Sequence, residues 1–156
     1  VIVDPFRGEV FAARRGGGAT LDGEAIRVGT EELEDAVVAT GFAPSQASLQ
    51  PMLRGMAAVG PKARTLRMLG SAAIMLAWVA CGRLSAYFEV DLNSWDSAAG
   101  VLIVREAGGT VTSLEGTRHR IQTRTLIASN QNCWSELHAT LEAAGVVGLD
   151  TLEEGG

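Results

Sequence analysis

Cysteine is almost absent. Cys81 and Cys133 are the two in 156 residues, far apart and without the spacing of a zinc site or a disulfide framework. That excludes a small disulfide-stapled secreted scaffold and points to a reducing compartment, read here as the cytoplasm. Long apolar runs are missing as well. The longest, Ala72 to Cys81, is about half of the ~20 residues a membrane-spanning helix needs, so it reads as a core helix with Cys81 a small core residue. No charged segment, apolar stretch and cleavage site open the chain, although a sequence lacking its upstream part would not display them. Positive charge is in deficit: 13 Lys and Arg stand against 18 Asp and Glu, a net charge of −5. This argues against the clustered cationic grip that nucleic acid requires. The strongest basic cluster, Lys62, Arg64 and Arg67, fits a solvated strand edge or an interface. Neither G-x-x-x-x-G-K-[ST] nor G-x-G-x-x-G occurs, so the triplet Gly16-Gly17-Gly18 reads as a turn or bulge. His119 and His138 lack Cys, Asp or Glu neighbours at triad or zinc spacing and read as loop and helix surface.

What is present suffices for one packed domain: 47% of residues are hydrophobic and 20% charged. Residues 1–35 read as antiparallel strands. Val1 to Val3 and Glu9 to Ala13 flank a turn at Asp4-Pro5-Phe6-Arg7-Gly8, and Ala19 to Leu21 with Ala25 to Val28 form a hairpin on Asp22-Gly23. Over residues 36–148 the pattern alternates. Strands are predicted at Ala36 to Thr40, Thr65 to Leu69, Leu84 to Val90, Thr110 to Leu114 and Leu126 to Ser129. Helices are predicted at Leu49 to Val59, Ser71 to Cys81, Trp95 to Ala107 and Asn132 to Ala144. The class is α/β, a mostly parallel sheet covered by helices and preceded by antiparallel strands. Residues 149–156 read as a frayed tail.

The stretch that carries chemistry is Asn93-Ser94-Trp95-Asp96-Ser97-Ala98-Ala99-Gly100. Trp95, Ala98, Ala99, Leu102 and Ile103 recur at the spacing of a helix with one buried face, which would pack Trp95. Asn93 or Ser94 caps the start and Gly108-Gly109 ends it. Asp96 then falls in the first turn, beside unpaired N–H groups. Two readings stay open: a carboxylate that stabilises the helix, or a hard-cation ligand, since Mg²⁺ takes one or two carboxylates with phosphate and water. Ligands of open α/β sheets collect where strands end and helices begin. Two junctions qualify, this one and Leu69-Gly70-Ser71-Ala72-Ala73, where Gly70 permits close backbone approach and Ser71 can cap.

Trp95-Asp96-Ser97-Ala98-Ala99-Gly100, followed by Glu106-Ala107-Gly108-Gly109, resembles the W-D-x-A-[AG]-G and E-A-G-G signature of the inositol monophosphatase family. Gly70-Ser71-Ala72-Ala73, Ala86-Tyr87-Phe88-Glu89, Val3-Asp4-Pro5, Arg15 to Ala19 and Leu21-Asp22-Gly23 resemble further segments of that family in the same order. The likeness runs from the start to about Ala144. The family's upstream Glu-Glu pair and Asp-Pro-x-Asp-Gly-Thr loop, which supply most metal ligands and help activate the water, do not occur here. Asp4-Pro5 is followed by Phe6-Arg7-Gly8 instead. The sequence is therefore similar to the C-terminal portion of such an enzyme.

The resemblance implies a layered sugar-phosphatase fold and a Mg²⁺-dependent phosphomonoesterase, of which this chain carries the substrate-binding half, with the catalytic residues expected upstream and the chain inactive alone. It implies that Gly70, Ser71 and Ala72 touch substrate hydroxyls, that Glu89 accepts hydrogen bonds from them, and that Asp96 is a Mg²⁺ ligand. Asn93 falls at a variable position near the sugar, and Asp91 is left unassigned. Inositol monophosphate leads as substrate, with histidinol phosphate, fructose 1,6-bisphosphate and phosphoadenosine nucleotides as alternatives, and a homodimer is the common assembly. The rival reading is a noncatalytic sugar-phosphate-binding or assembly module.

Overall fold

The structure, a computed structural model of the chain, describes residues 1–42 and 45–146. The expected tail at 149–156 lies outside them. Strands β1 (Ile2–Asp4), β2 (Glu9–Ala13), β3 (Ala19–Leu21) and β4 (Glu24–Ala25) form an antiparallel meander. After a 3-10 turn at Leu33–Asp35 come β5 (Val37–Thr40), α1 (Gln46–Val59), β6 (Thr65–Met68) and α2 (Ala72–Ala80). Then follow β7 (Ala86–Glu89), α3 (Ser94–Glu106), β8 (Thr110–Thr112), β9 (Leu126–Ser129) and α4 (Gln131–Ala143).

The second sheet has the order β6-β5-β7-β9-β8. β5 is parallel to β6 and β7, whereas β9 runs antiparallel to both its neighbours. The sheet is mixed, with β9 alone reversed. The cause is local: β8 and β9 are joined without a helix, so the chain returns antiparallel, as a connection lacking a crossover must.

The two sheets and four helices stack in alternating layers. Alternation along β7 sends Tyr87 to one face and Phe88 to the other. Tyr87 joins Phe11, Leu76, Val101 and Val104 in the core between the sheets, where α2 and α3 lie. Phe88 joins Val38, Met52, Leu137 and Leu141 in the core under α1 and α4.

The triplet Gly16-Gly17-Gly18 is a turn, as its composition predicts, and it holds an anion of the protein's own. The Gly16 and Gly18 N–H groups donate to Glu106 Oε1 at 2.9 Å and Oε2 at 3.0 Å, linking the meander to the end of α3. Those bonds, led by the one from Gly16, hold the Glu106 carboxyl below its usual range.

Three expectations require correction. The buried face of α3 comprises Ser97, Gly100, Val101, Ile103 and Val104, while Ala98 is exposed and Trp95 is 79% exposed. The helix is rotated from the apolar reading because α2 packs too closely for large side chains. A Cβ on Gly100 would lie 2.5 Å from Leu76 Cβ, so small residues face the partner helix. His138 is half-buried rather than on the surface, stacked on Trp134 with ring centroids 4.9 Å apart.

His119 is only 3% exposed, and burial, helped by the Arg105 charge, pushes it down to about 4. Its pKa is thus lower in the folded chain than the ordinary value near 6.5. Between these pH values the unfolded chain binds the extra proton, so stability rises with pH across this window and is lost as pH falls through it. Arg105 from α3, the flanking Arg118 and Arg120, and Arg15 from the meander share the cavity that His119 lines. The contribution is at most about 3 kcal/mol. Urea unfolding at pH 7 and pH 4.5 should show this loss, and His119→Gln should flatten it. An unchanged pH slope in the variant would contradict the assignment.

Candidate functional site

Strands β6, β5 and β7 run in parallel, so their C-terminal ends share one edge of the sheet. Thr40 is opposite Met68 on one side and Phe88 on the other, which aligns Gly41, the Leu69-Gly70 turn and Glu89. Helices α2 and α3 begin at this edge. A cavity of about 270 Å³ opens there, lined by Gly41, Gly70, Ala72, Glu89, Asp91 and Asp96, with Asn93 beside them.

Each polar wall residue is placed by its local sequence. Glu89 and Tyr87 are two apart on β7 and therefore share the face toward α3. Glu89 is 8% exposed and accepts the Tyr87 hydroxyl at 2.5 Å. Burial raises the Glu89 carboxyl, the Asp96 charge adds to the rise, and the Tyr87 hydrogen bond opposes it. Burial, and then the charge of Glu89, pushes Tyr87 well up. Asp96 is the third residue of α3, and its Oδ2 accepts the Asn93 N–H at 2.9 Å. Asp91 has a positive φ of 62° and pairs with Arg124.

The cavity thus brings Gly70, Ala72, Glu89 and Asp96 together. Ser71 is not on its wall; its hydroxyl accepts the Ile74 N–H at 3.4 Å as the N-cap of α2. Gly70 has φ +81°, and a Cβ there would meet nothing within 4 Å. Glycine is needed for the backbone conformation, rather than for room.

Gly41, like Phe42, Met75 and Leu92, is a wall residue that the sequence reading missed. A Cβ at this position would lie 2.3 Å from Glu89 Oε2, so its bare backbone makes space for the carboxylate. The signal was present in the rule that ligands collect at strand ends, because Gly41 directly follows β5.

The polar donors around the cavity are carboxylate oxygens, which suit a hard cation such as Mg²⁺ better than zinc. Asp96 has one oxygen fixed by Asn93, and Glu89 lies close enough for its charge to be felt. Among the described residues no three His, Cys, Asp or Glu converge as a metal cluster. The donor set fits part of a cation site.

A profile of the inositol monophosphatase family matches residues 1–145. Nus factor SuhB of Xylella fastidiosa is 47% identical over 118 residues, covering 74% of this chain and 43% of that protein. Inositol-1-monophosphatase of Caulobacter vibrioides is 38% identical over 149 residues, covering 92% of this chain and 58% of that protein. Among solved structures, inositol monophosphatase from Anabaena (Nostoc) sp. PCC 7120 gives a TM-score of 0.86 at 35% identity, covering 90% of this chain and 58% of that one. The chain spans about half the length of the curated relatives it matches. Profile and fold agree along nearly all of the sequence: this chain belongs to the inositol monophosphatase family.

Proposed function

We propose that this chain is the substrate-binding half of a Mg²⁺-dependent phosphomonoesterase acting on inositol monophosphate or a related sugar or polyol phosphate, and that it is inactive alone. The observation that carries this reading is the single cavity in which Glu89 and Asp96 meet the Gly70 turn. Glu89, shaped by Tyr87 and Gly41, accepts hydrogen bonds from polyol hydroxyls. Gly70 and Ala72 orient the same ring from the turn that Ser71 fixes by capping α2, and Asn93 adjusts specificity. Asp96 would hold Mg²⁺, which when bound lowers the pKa of a coordinated water and offsets phosphate charge. Residues 1–35 belong, on this reading, to a larger antiparallel sheet completed by a segment that also brings the remaining ligands. Its ligand is a small phosphate ester rather than nucleic acid, and its compartment is the cytoplasm. No helix among the described residues is long and apolar enough to cross a membrane.

Isothermal titration of Mg²⁺, with and without inositol monophosphate, into the chain and its Asp96→Asn variant tests the proposal. The expected result is phosphate-dependent binding in the parent that weakens about tenfold or more in the variant. Binding that survives the substitution would overturn the role given to Asp96.

A second reading, a noncatalytic binding or assembly module, is favoured by relatives named Nus factor SuhB. It shares with the first the expectation of no hydrolysis by this chain alone. Phosphatase activity above that of an Asp96→Ala control would contradict both on this point.

A further inference from the structure

A second cavity, of about 370 Å³, lies along the flank of α3. Its wall carries Arg15, Arg105, Arg118 and Arg120, with Glu106 and His119 between them. Four guanidinium groups around one opening are unexpected in a chain of net charge −5. Ion pairs among the described residues engage Arg7, Arg83 and Arg124 and none of these four. The Glu106 carboxylate accepts two N–H groups of the glycine loop and feels the Arg15 charge, so it offsets part of this positive charge and leaves an excess. Arg105 is fixed in place by donating to the Val111 carbonyl at 3.2 Å and the His119 carbonyl at 2.9 Å.

The second observation is independent of charge. His119 is 3% exposed, and its Nε2 is a buried polar atom with no hydrogen-bond partner among the described residues. His119 lines the cavity, so the buried imidazole with its unpartnered nitrogen lies next to the opening. Leu102 and Ile121 complete the wall with apolar surface, and the volume falls in the range of small-molecule sites.

We propose that this cavity binds a small phosphate-bearing anion, held by the arginines beside His119. Guanidinium groups match phosphate oxygens in paired geometry, and an anion seated among them lies next to the His119 ring. The site is separate from the cavity at Glu89 and Asp96. Arg105 is nine residues beyond Asp96, roughly 13 Å along the helix axis.

The test is titration of inorganic phosphate into the 156-residue chain in the presence of a divalent-cation chelator, followed by calorimetry and by the His119 imidazole NMR signals. The same measurements are made on Arg118→Gln/Arg120→Gln and on Asp96→Asn. These are exposed arginines, and a matching unfolding midpoint verifies that the double variant is folded. The proposal expects saturable binding that moves the His119 signals, weakens about tenfold or more in the double variant and persists in Asp96→Asn. Binding that is lost in Asp96→Asn, ignores the double substitution or leaves His119 unmoved would overturn it. So would failure to bind phosphate while a single-stranded oligonucleotide binds through the same arginines, which would make the surface a nucleic-acid contact.

Discussion

Gly100→Val should destabilise the chain by about 3 kcal/mol or more, a large share of the roughly 5–15 kcal/mol that keeps a domain folded. The added Cβ would meet Leu76 Cβ and Cδ1, each at 2.5 Å. Leu76 Cβ is anchored to the backbone of α2, so rotation of the side chain does not relieve that contact. The two helices must separate. Their separation disturbs the core beneath the first sheet, since Leu76, Val101 and Val104 all belong to it. A better helix former gains only about 1 kcal/mol over glycine, too little to offset the clash. Urea unfolding measures the loss, and the Gly100→Val/Leu76→Ala pair should cost less than the sum of its members because they share one contact. Strict additivity, or a midpoint equal to the parent's, would show that the helices do not approach so closely.

Gly41→Val should have a different profile, with the fold retained at a cost of about 1–3 kcal/mol and ligand binding weakened about tenfold or more. Here the added Cβ lies 2.3 Å from Glu89 Oε2 and 2.6 Å from its Cδ. These atoms end a flexible side chain that can swing aside. Gly41 is not among the glycines with positive φ, so a side chain imposes no backbone strain. The displaced carboxylate leaves the Tyr87 hydroxyl and narrows the cavity between them. Calorimetry with Mg²⁺ and inositol monophosphate, alongside urea unfolding, separates the two effects. Unaltered binding would mean that the position of Glu89 does not matter to the ligand, whereas a collapse in stability would mean that the carboxylate has nowhere to move.

The contrast between these glycines explains what the sequence could and could not convey. Strand and helix order was legible because period, caps and breakers agree locally: Asn93 precedes α3, and Gly108, with φ +88°, follows it. The meeting of Glu89 with Asp96 was legible only through resemblance, since seven residues of spacing do not state that a strand end and a helix start converge. The orientation of α3 was misread because an apolar count rewards Trp95 and ignores Gly100, while close helix packing selects the smaller residue. His119 was misread because its burial depends on Arg105 and a loop that returns from β8, neither visible from its neighbours. The reversal of β9 was legible in the missing helix between the strands predicted at Thr110 to Leu114 and Leu126 to Ser129, a signal that the mostly parallel reading passed over.

The clasp of the glycine loop on Glu106 has a further consequence for the order in which the molecule comes together. Its partners are separated by 90 residues in one bond and 88 in the other. The loop therefore cannot close on the carboxylate until the third helix has been synthesised and seated. Before then the two amides have only water to bond, and closing so long a segment carries an entropic penalty that local turns avoid. Protection of the Gly16 and Gly18 amides from hydrogen exchange would consequently report docking of the meander rather than formation of its strands. In Glu106→Ala those two amides should exchange rapidly while the strand amides of Phe11 and Ala12, paired with Ile2 and Thr20, remain protected, separating assembly of the layers from formation of the sheet.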